Sequence, residues 1–307
     1  MKRLSILFLG GALLAGAQSV PAPPRSPLQA VVEEAVRATV AEFRAPELRS
    51  EQLAVTVIDL RSAAPVAADF RGDERCYPAS VIKLFFLAAT HRWLEDGRLS
   101  DTPELRRAMR DMIVDSSNDA TNHLVDVLTG TTGGPELPAE ALKAWNEQRG
   151  AVTRYFAALG YQNVNAIRKT WGDGPFGRES QDMKAHPPAR NYLSTNDTAR
   201  LLVEIATGRC VTPARSAEML VLLERDPFTP SPDPDSQSVK FTGPALTPGM
   251  KLWSKAGWVS WARHDAALIE RPDGGRIIIV TFTDGREHAQ NREIIAAVAR
   301  RVLANLP

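Results

Sequence analysis

The chain has two cysteines, Cys76 and Cys210, too few for the disulfide frameworks that hold small secreted domains together. A single bond between them is open in an oxidising compartment, and their spacing does not decide it. The five histidines, His91, His123, His186, His264 and His288, never come within four residues of one another, and no Cys/His cluster exists. The usual zinc spacings are therefore missing, and no metal or other cofactor is called for. An excess of charge is lacking too. Lysine plus arginine number 37 against 36 aspartates plus glutamates, for a formal net charge of +1, which gives no electrostatic footprint for nucleic acid or an anionic membrane surface. Walker loops and the G-x-S-x-G elbow are absent, which removes the P-loop phosphate cradle and the α/β-hydrolase nucleophile.

Long apolar runs are scarce as well. One stands at the start, Leu4 to Leu14 in "MKRLSILFLGGALLAGAQSV", and it is shorter than the roughly 18 to 20 residues that span a bilayer. Lys2 and Arg3 before it and the small residues Ala15, Gly16 and Ala17 after it make residues 1–17 a secretory signal, removed on export. No cysteine follows at which a lipid could attach. The mature chain is expected to be exported, with no stable membrane insertion.

What is present is enough for a large core: 307 residues, 44% of them hydrophobic. After a proline-rich leader (residues 18–25), Ser26 and Pro27 suit the N-cap and first position of a helix. Leu28, Val31, Val32, Ala35, Val36, Val40 and Phe43 then recur at helical spacing. "LAVTVIDL" (53–60) and "PVAADF" (65–70) read as strands of a hairpin joined by "RSAA". From Ser80 to about Leu223 the pattern is helical, cut by glycine and proline loops. Beyond "SPDPDSQS", the stretches "MKLWSKAGW", "DAALIE" and "RIIIVTFT" read as strands, the last two joined by "RPDGG". Ile294, Ile295, Val298, Val302, Leu303 and Leu306 mark a closing amphipathic helix. The fold class is α/β in the α+β sense: a five-stranded antiparallel sheet flanked by the terminal helices (residues 26–79 and 236–307), with an all-helical domain (80–235) inserted between the second and third strands. Together they form one unit, and chemistry is expected where the halves meet.

One segment departs from its surroundings. In "CYPASVIKLFF" (76–86), Lys83 follows Ser80 by nearly one helical turn within a run that is otherwise apolar all round, so the two share a face. Burial would lower the lysine's pKa and let it take the Ser80 proton. A lysine whose head reaches water along the helix surface is the plainer alternative. "DSSNDATNHL" (115–124) adds a hydroxyl and an amide at a helix start, in one of two registers. Ser116-Ser117-Asn118 keeps serine and asparagine in order and is preferred over Ser117-Asn118-Asp119. Asn118 and Asn122 share a face, and either serine can cap the helix at the same time. "KLWSKAGW" puts Lys255 in a strand two residues before Gly257, whose missing side chain lets another backbone approach.

Together Ser80-x-x-Lys83, Ser116-x-Asn118 and Lys255-x-Gly257 resemble the penicillin-recognising serine enzymes, and among them the class A β-lactamases, with their S-x-x-K, S-D-N and K-T-G. The resemblance spans most of the mature chain. It implies that Ser80 is the acylated nucleophile, Lys83 its base or proton relay, and Ser116 the group that passes a proton to the leaving nitrogen. It places Asn118, Asn122, Lys255 and Gly257 against the substrate, and makes the backbone N–H groups of Ser80 and Trp258 an oxyanion hole. It also implies a glutamate that activates the deacylating water. Counting back from Thr195, read as the N-cap of the next helix, lands on Glu179; a solvated loop carboxylate is the other reading of that residue, and Asp173 or a carboxylate-free route the next candidates. The sequence departs from the family at Ser117, where aspartate is usual, at Met183, where an asparagine would follow Glu179, and at Ala256, where a hydroxyl usually helps bind the substrate carboxylate. Arg263, eight residues after Lys255, is expected to compensate. The extra segment "GGPELPAEALKAWNEQRGAV" means that cleft shape is not inherited.

The function expected from this resemblance is a monomeric, exported bacterial serine hydrolase, periplasmic or extracellular, that opens β-lactam amides through a Ser80 acyl-enzyme. The alternatives are a DD-peptidase or transpeptidase acting on cell-wall peptides, and a non-catalytic binding protein on the same fold. The last has no need for Ser80, Lys83, Ser116, Asn118 and Lys255 together.

Overall fold

The computed structural model describes residues 26–306; the expected signal (1–17) and leader (18–25) lie outside the described residues. Helix α1 (Pro27–Glu42) opens as its sequence requires, with the Ser26 hydroxyl accepting from the Gln29 N–H and proline in the first turn. Strands β1 (Leu53–Asp59) and β2 (Val66–Phe70) form the expected hairpin. A 3₁₀ turn, Ala79–Ile82, runs directly into α2 (Lys83–Glu95). Then come α3 (Pro103–Ile113), α4 (Asn118–Thr129), α5 (Ala139–Arg149) and α6 (Ala151–Ala158). Next are β3 (Val164–Asn165), α7 (Gly177–Ala185), β4 (Tyr192–Leu193), α8 (Thr195–Ala206), α9 (Pro213–Leu223) and β5 (Glu224–Arg225). Strands β6 (Lys251–Val259), β7 (Ala262–Glu270) and β8 (Arg276–Asp284) lead to the closing helix α10 (Glu293–Ala304).

The main sheet runs β2-β1-β8-β7-β6-β5, antiparallel throughout. It has six strands where five were expected. The sixth, β5, is two residues long and follows α9 without a break, pairing Glu224 with Trp253 and Arg225 with Leu252; two residues carry no period-2 signal to read. β3 and β4 pair separately. The cap of α8 also shifts by one: Ser194 accepts from the Asp197 N–H, and Thr195, expected as the cap, is the first helical residue.

The sheet is covered on both faces. Val55, Val57, Ala267 and Ile279 pack with Leu28 and Val32 of α1 and Val298 and Val302 of α10. Ala54, Leu268, Ile278 and Val280 point the other way, into a core shared with α2. That double covering is why "RIIIVTFT" is continuously apolar rather than alternating. Helix α2 lies at the centre of the second core: Leu84, Phe85, Phe86 and Leu87 are each fully buried, worth about 1.5–3 kcal/mol apiece. It is the rigid floor at whose N-terminal end Ser80 stands. Cys76 and Cys210 are free and buried, and burial pushes both thiols up to about 12.

Candidate active site

Ser80 lies in the 3₁₀ turn before α2 and is partly exposed. The residue ahead of it, Ala79, has φ of 46°, a left-handed conformation that costs a non-glycine residue roughly 1–2 kcal/mol. Strand β6 pins the turn. A Cβ on Gly257 would stand 2.7 Å from Ser80 N and 2.8 Å from Pro78 O and Val81 N, so only glycine lets the strand rest against this backbone. The backbone that Gly257 admits is that of Ser80, the expected nucleophile.

Lys83, in the first turn of α2, is fully buried, which sets the surface-lysine alternative aside. Its Nζ donates to Ser116 O at 2.6 Å, Asn118 Oδ1 at 2.9 Å and Ser116 Oγ at 3.2 Å. No carboxylate is among these partners, and burial brings its pKa down to about 7. A large fraction is thus neutral near pH 7 and able to accept a proton. The Ser80 hydroxyl is not among its partners; such contacts are often long before substrate binds.

Lys255 is buried in the middle of β6. Its Nζ donates to Ser116 Oγ at 3.0 Å, Gln237 Oε1 at 2.5 Å and Ala256 O at 2.7 Å. Burial, then the charges of Lys83 and Arg225, hold its pKa well below the ordinary lysine value. Ser116 Oγ therefore bridges two lysines from opposite walls of the cleft. Ser116 itself has φ of 55°, while Ser117 caps α4 by accepting from the Ala120 N–H. The preferred register is the one whose serine meets the lysines, and the capping role falls to its neighbour. Asn118 faces Lys83; Asn122, one turn on, spends its side-chain carbonyl on the Thr170 N–H at 2.9 Å, holding a loop rather than facing the cleft.

The β6–β7 connection is a two-residue turn, with Val259 opposite Ala262 and Trp258 opposite Arg263. Alternation along such a pair turns the N–H groups of Ala256 and Trp258 away from β7, as the Ala256 N–H donating to Gln237 Oε1 at 3.2 Å shows. β5 ends opposite Trp253 and Leu252, so no strand covers the Trp258 N–H. With the Ser80 N–H it can receive an oxyanion. On the side of Tyr77 and Val259 lies a recess of about 230 Å³, also lined by Trp171, Arg190 and Trp261. The Tyr77 and Trp261 rings are 5.0 Å apart, and the Arg190 guanidinium lies over both at 5.7 and 5.2 Å. A larger depression of about 860 Å³, lined by Arg92, Tyr155, Leu201 and Cys210, contains none of the groups above.

Besides Asn122, two expected site residues are not brought to this cleft. Glu179 is buried in the first turn of α7, where its Oε1 accepts from Arg149 Nη2 at 2.8 Å and lies 3.5 Å from Lys169 Nζ. Both cations also bond Asp126, at 3.1 and 2.7 Å, and Asp126 lies eight residues along α4 from Asn118, about 12 Å at 1.5 Å per residue. The count back from Thr195 misled because residues 177–185 form a helix whose first turn presents Glu179 to Arg149 and Lys169. Asp173 is exposed, and among the described residues Lys83, Ser116 and Lys255 have no carboxylate hydrogen-bond partner. Arg263, expected to receive a substrate carboxylate, sits opposite Trp258 on the sheet face away from Lys255. It is 1% exposed, donates to Asp235 Oδ1 at 3.0 Å and Lys240 O at 2.9 Å, and stacks 3.9 Å over Phe241. Gln237 and Arg190 went unnoticed because they stand in loops whose composition marks only a turn.

This order of groups, on a sheet flanked by terminal helices with a helical block between its strands, is that of the penicillin-recognising serine enzymes. The model of the Beta-lactamase enzyme family matches residues 100–306, and the chain belongs to that family. The match takes in Ser116, Asn118 and Lys255 and begins downstream of Ser80 and Lys83. Among solved structures, a β-lactamase from Sphaerobacter thermophilus DSM 20745 is 20% identical with a TM-score of 0.64, covering 90% of this chain and 97% of its own. PBP-A is 20% identical with a TM-score of 0.64, over 92% and 97%. An ancestral class A β-lactamase is 20% identical with a TM-score of 0.61, over 90% and 99%. At such identity the likeness is one of fold. No curated protein matches the chain in sequence.

Proposed function

We propose that the chain is an exported, monomeric serine acyl-transfer hydrolase that takes the acyl group of a strained or activated amide, β-lactams included, onto Ser80. The observation that carries this reading is Ser116 Oγ within hydrogen-bond reach of both Lys83 and Lys255, beside a serine whose backbone rests on Gly257. Neutral Lys83 accepts the Ser80 proton as Ser80 Oγ attacks the carbonyl carbon. The resulting oxyanion is received by the N–H groups of Ser80 and Trp258. The proton then travels from Lys83 through the Ser116 hydroxyl to the leaving nitrogen, and the C–N bond breaks. Lys255, donating to Ser116 Oγ, holds that hydroxyl in place.

The pairing of Glu179 with Arg149 and Lys169 favours a second reading of the step that follows. With that carboxylate held elsewhere, water attack on the acyl-enzyme is slow, as in a peptidase that β-lactams trap. Intact-protein mass spectrometry after addition of a chromogenic cephalosporin tests both. An adduct on Ser80 that decays with turnover is the expected result, a persistent adduct gives the second reading, and no adduct from any activated acyl donor refutes both.

A further inference from the structure

We propose that the site takes acyl donors whose leaving side carries no carboxylate, because Gln237 fills from within the chain the place where a carboxylate would bind. The proposal rests on the acyl-transfer reading above and names the substrate class. An ammonium has three donors, and those of Lys255 are all engaged by Ser116 Oγ, Gln237 Oε1 and Ala256 O. Gln237 Oε1 also accepts from the Ala256 N–H, the strand-edge donor beside Lys255. The other end of that carboxamide is fixed too: Nε2 donates to Val114 O at 2.9 Å and Ile113 O at 3.3 Å, at the end of α3. Gln237 thus bridges the two walls of the cleft and is 9% exposed. A carboxylate reaching Lys255 would have to break all of these bonds.

The second cation is closed off by the same segment. Asp235, two residues earlier, accepts from Arg263 at 3.0 Å and from Arg292 at 3.3 Å. The family's carboxylate-binding hydroxyl is replaced by Ala256, which offers no side-chain donor. Beside Gln237 and Trp258 a cavity of about 410 Å³ is lined by Asp115, Glu224, Asp226, Asp233 and Asp235, with Arg225 as its one cation. Even with Asp235 paired to Arg263 and Arg292 and Asp115 to Arg110, five lining carboxylates against one lining cation favour a neutral or amine-bearing leaving group over an anion.

The test compares penicillin G with its methyl ester, the acylation rate constant of each read as adduct mass on the full chain. The ester is expected to acylate Ser80 at least as fast as the free acid; an acid faster by threefold or more overturns the proposal. Gln237→Ala is expected to raise the acid-to-ester ratio of acylation rates about tenfold, and an unchanged ratio counts against it. Should that variant fail to fold, Gln237→Asn, whose shorter side chain draws the carboxamide away from Lys255, is expected to raise the acid-to-ester ratio severalfold, and no rise has the same adverse meaning. If neither compound acylates Ser80, the acyl-transfer reading falls, and binding to the same protein by ligand-observed NMR decides the inference separately. Ester bound in preference to acid supports it; acid preferred, or neither bound, overturns it.

Discussion

Helix α4 carries two buried clusters of charge, and they are built in opposite ways. At its N-terminal end Lys83 and Lys255 converge on Ser116 and Asn118, with only neutral oxygens for partners. Two turns further on, Asp126, Glu179 and Asp182 meet Arg149, Lys169 and Arg168 in a network of ion pairs. The lysines of the first cluster have no carboxylate among their hydrogen-bond partners in the described residues, and burial drives the Lys83 pKa to about 7. The second answers each cation with a carboxylate, so that removing one partner would strand a buried charge. Reactivity and stability are separated along one helix by whether the buried charge has a counter-charge.

Ser80→Ala breaks the reactive side completely: acylation should fall by roughly 10⁴-fold or more, with no adduct mass and an unchanged circular dichroism spectrum. Labelling of the variant by penicillin would refute the assignment. Lys83→Met should slow acylation by about 10³-fold. In the parent the neutral amine is the active form, so the acylation rate should rise about tenfold per pH unit below pH 7 and level off above it; the variant should lose that limb. A parent profile flat from pH 5 to 8 would show that Lys83 does not exchange the proton.

Arg149→Met strikes the paired side. Removing one partner of a buried pair should cost about 3 kcal/mol, seen as a Tm lower by roughly 5–10 °C, with acylation of the folded protein unchanged. A chain that loses acylation but keeps its Tm would merge the two clusters. Gly257→Ala should lower acylation about 10²-fold, as a misplaced nucleophile does, since the atoms its Cβ meets are backbone and cannot turn aside. The smallest effect is expected from Glu179→Gln: deacylation within about threefold of the parent, and a stability loss of about 1–2 kcal/mol. Accumulation of acyl-enzyme in that variant alone would return Glu179 to the chemistry.

The reactive cluster was legible in the sequence because its members stand in elements with strong local signatures. An ammonium in the apolar run around Lys83 and a glycine inside the strand after Lys255 are both breaches of pattern. The preferred register at Ser116 followed from order alone. The paired cluster was not legible, since Arg149, Asp126 and Lys169 are separated in sequence and each reads as an ordinary surface charge. That is why Glu179 and Arg263 were assigned by spacing, and why the structure places both against counter-charges that no periodicity reveals. The sheet emerged nearly whole from its apolar runs, short only of β5. The left-handed backbone at Ala79 and Ser116 could not be foreseen, for neither position carries the glycine that usually announces it.

The bonds that bring Ser116 to its lysines span 33 residues to Lys83 and 139 to Lys255. Contacts of such separation form late, because the intervening chain must be ordered before they are rewarded. A chain still being made, N-terminus first, has α2 and its serine long before β6 arrives to press Gly257 against them. Ser80 and Lys83 therefore lack the Lys255 side of the Ser116 bridge, and the Trp258 half of the proposed oxyanion hole, until the C-terminal third has folded. Competence at Ser80 is thus a report that the whole chain is in place.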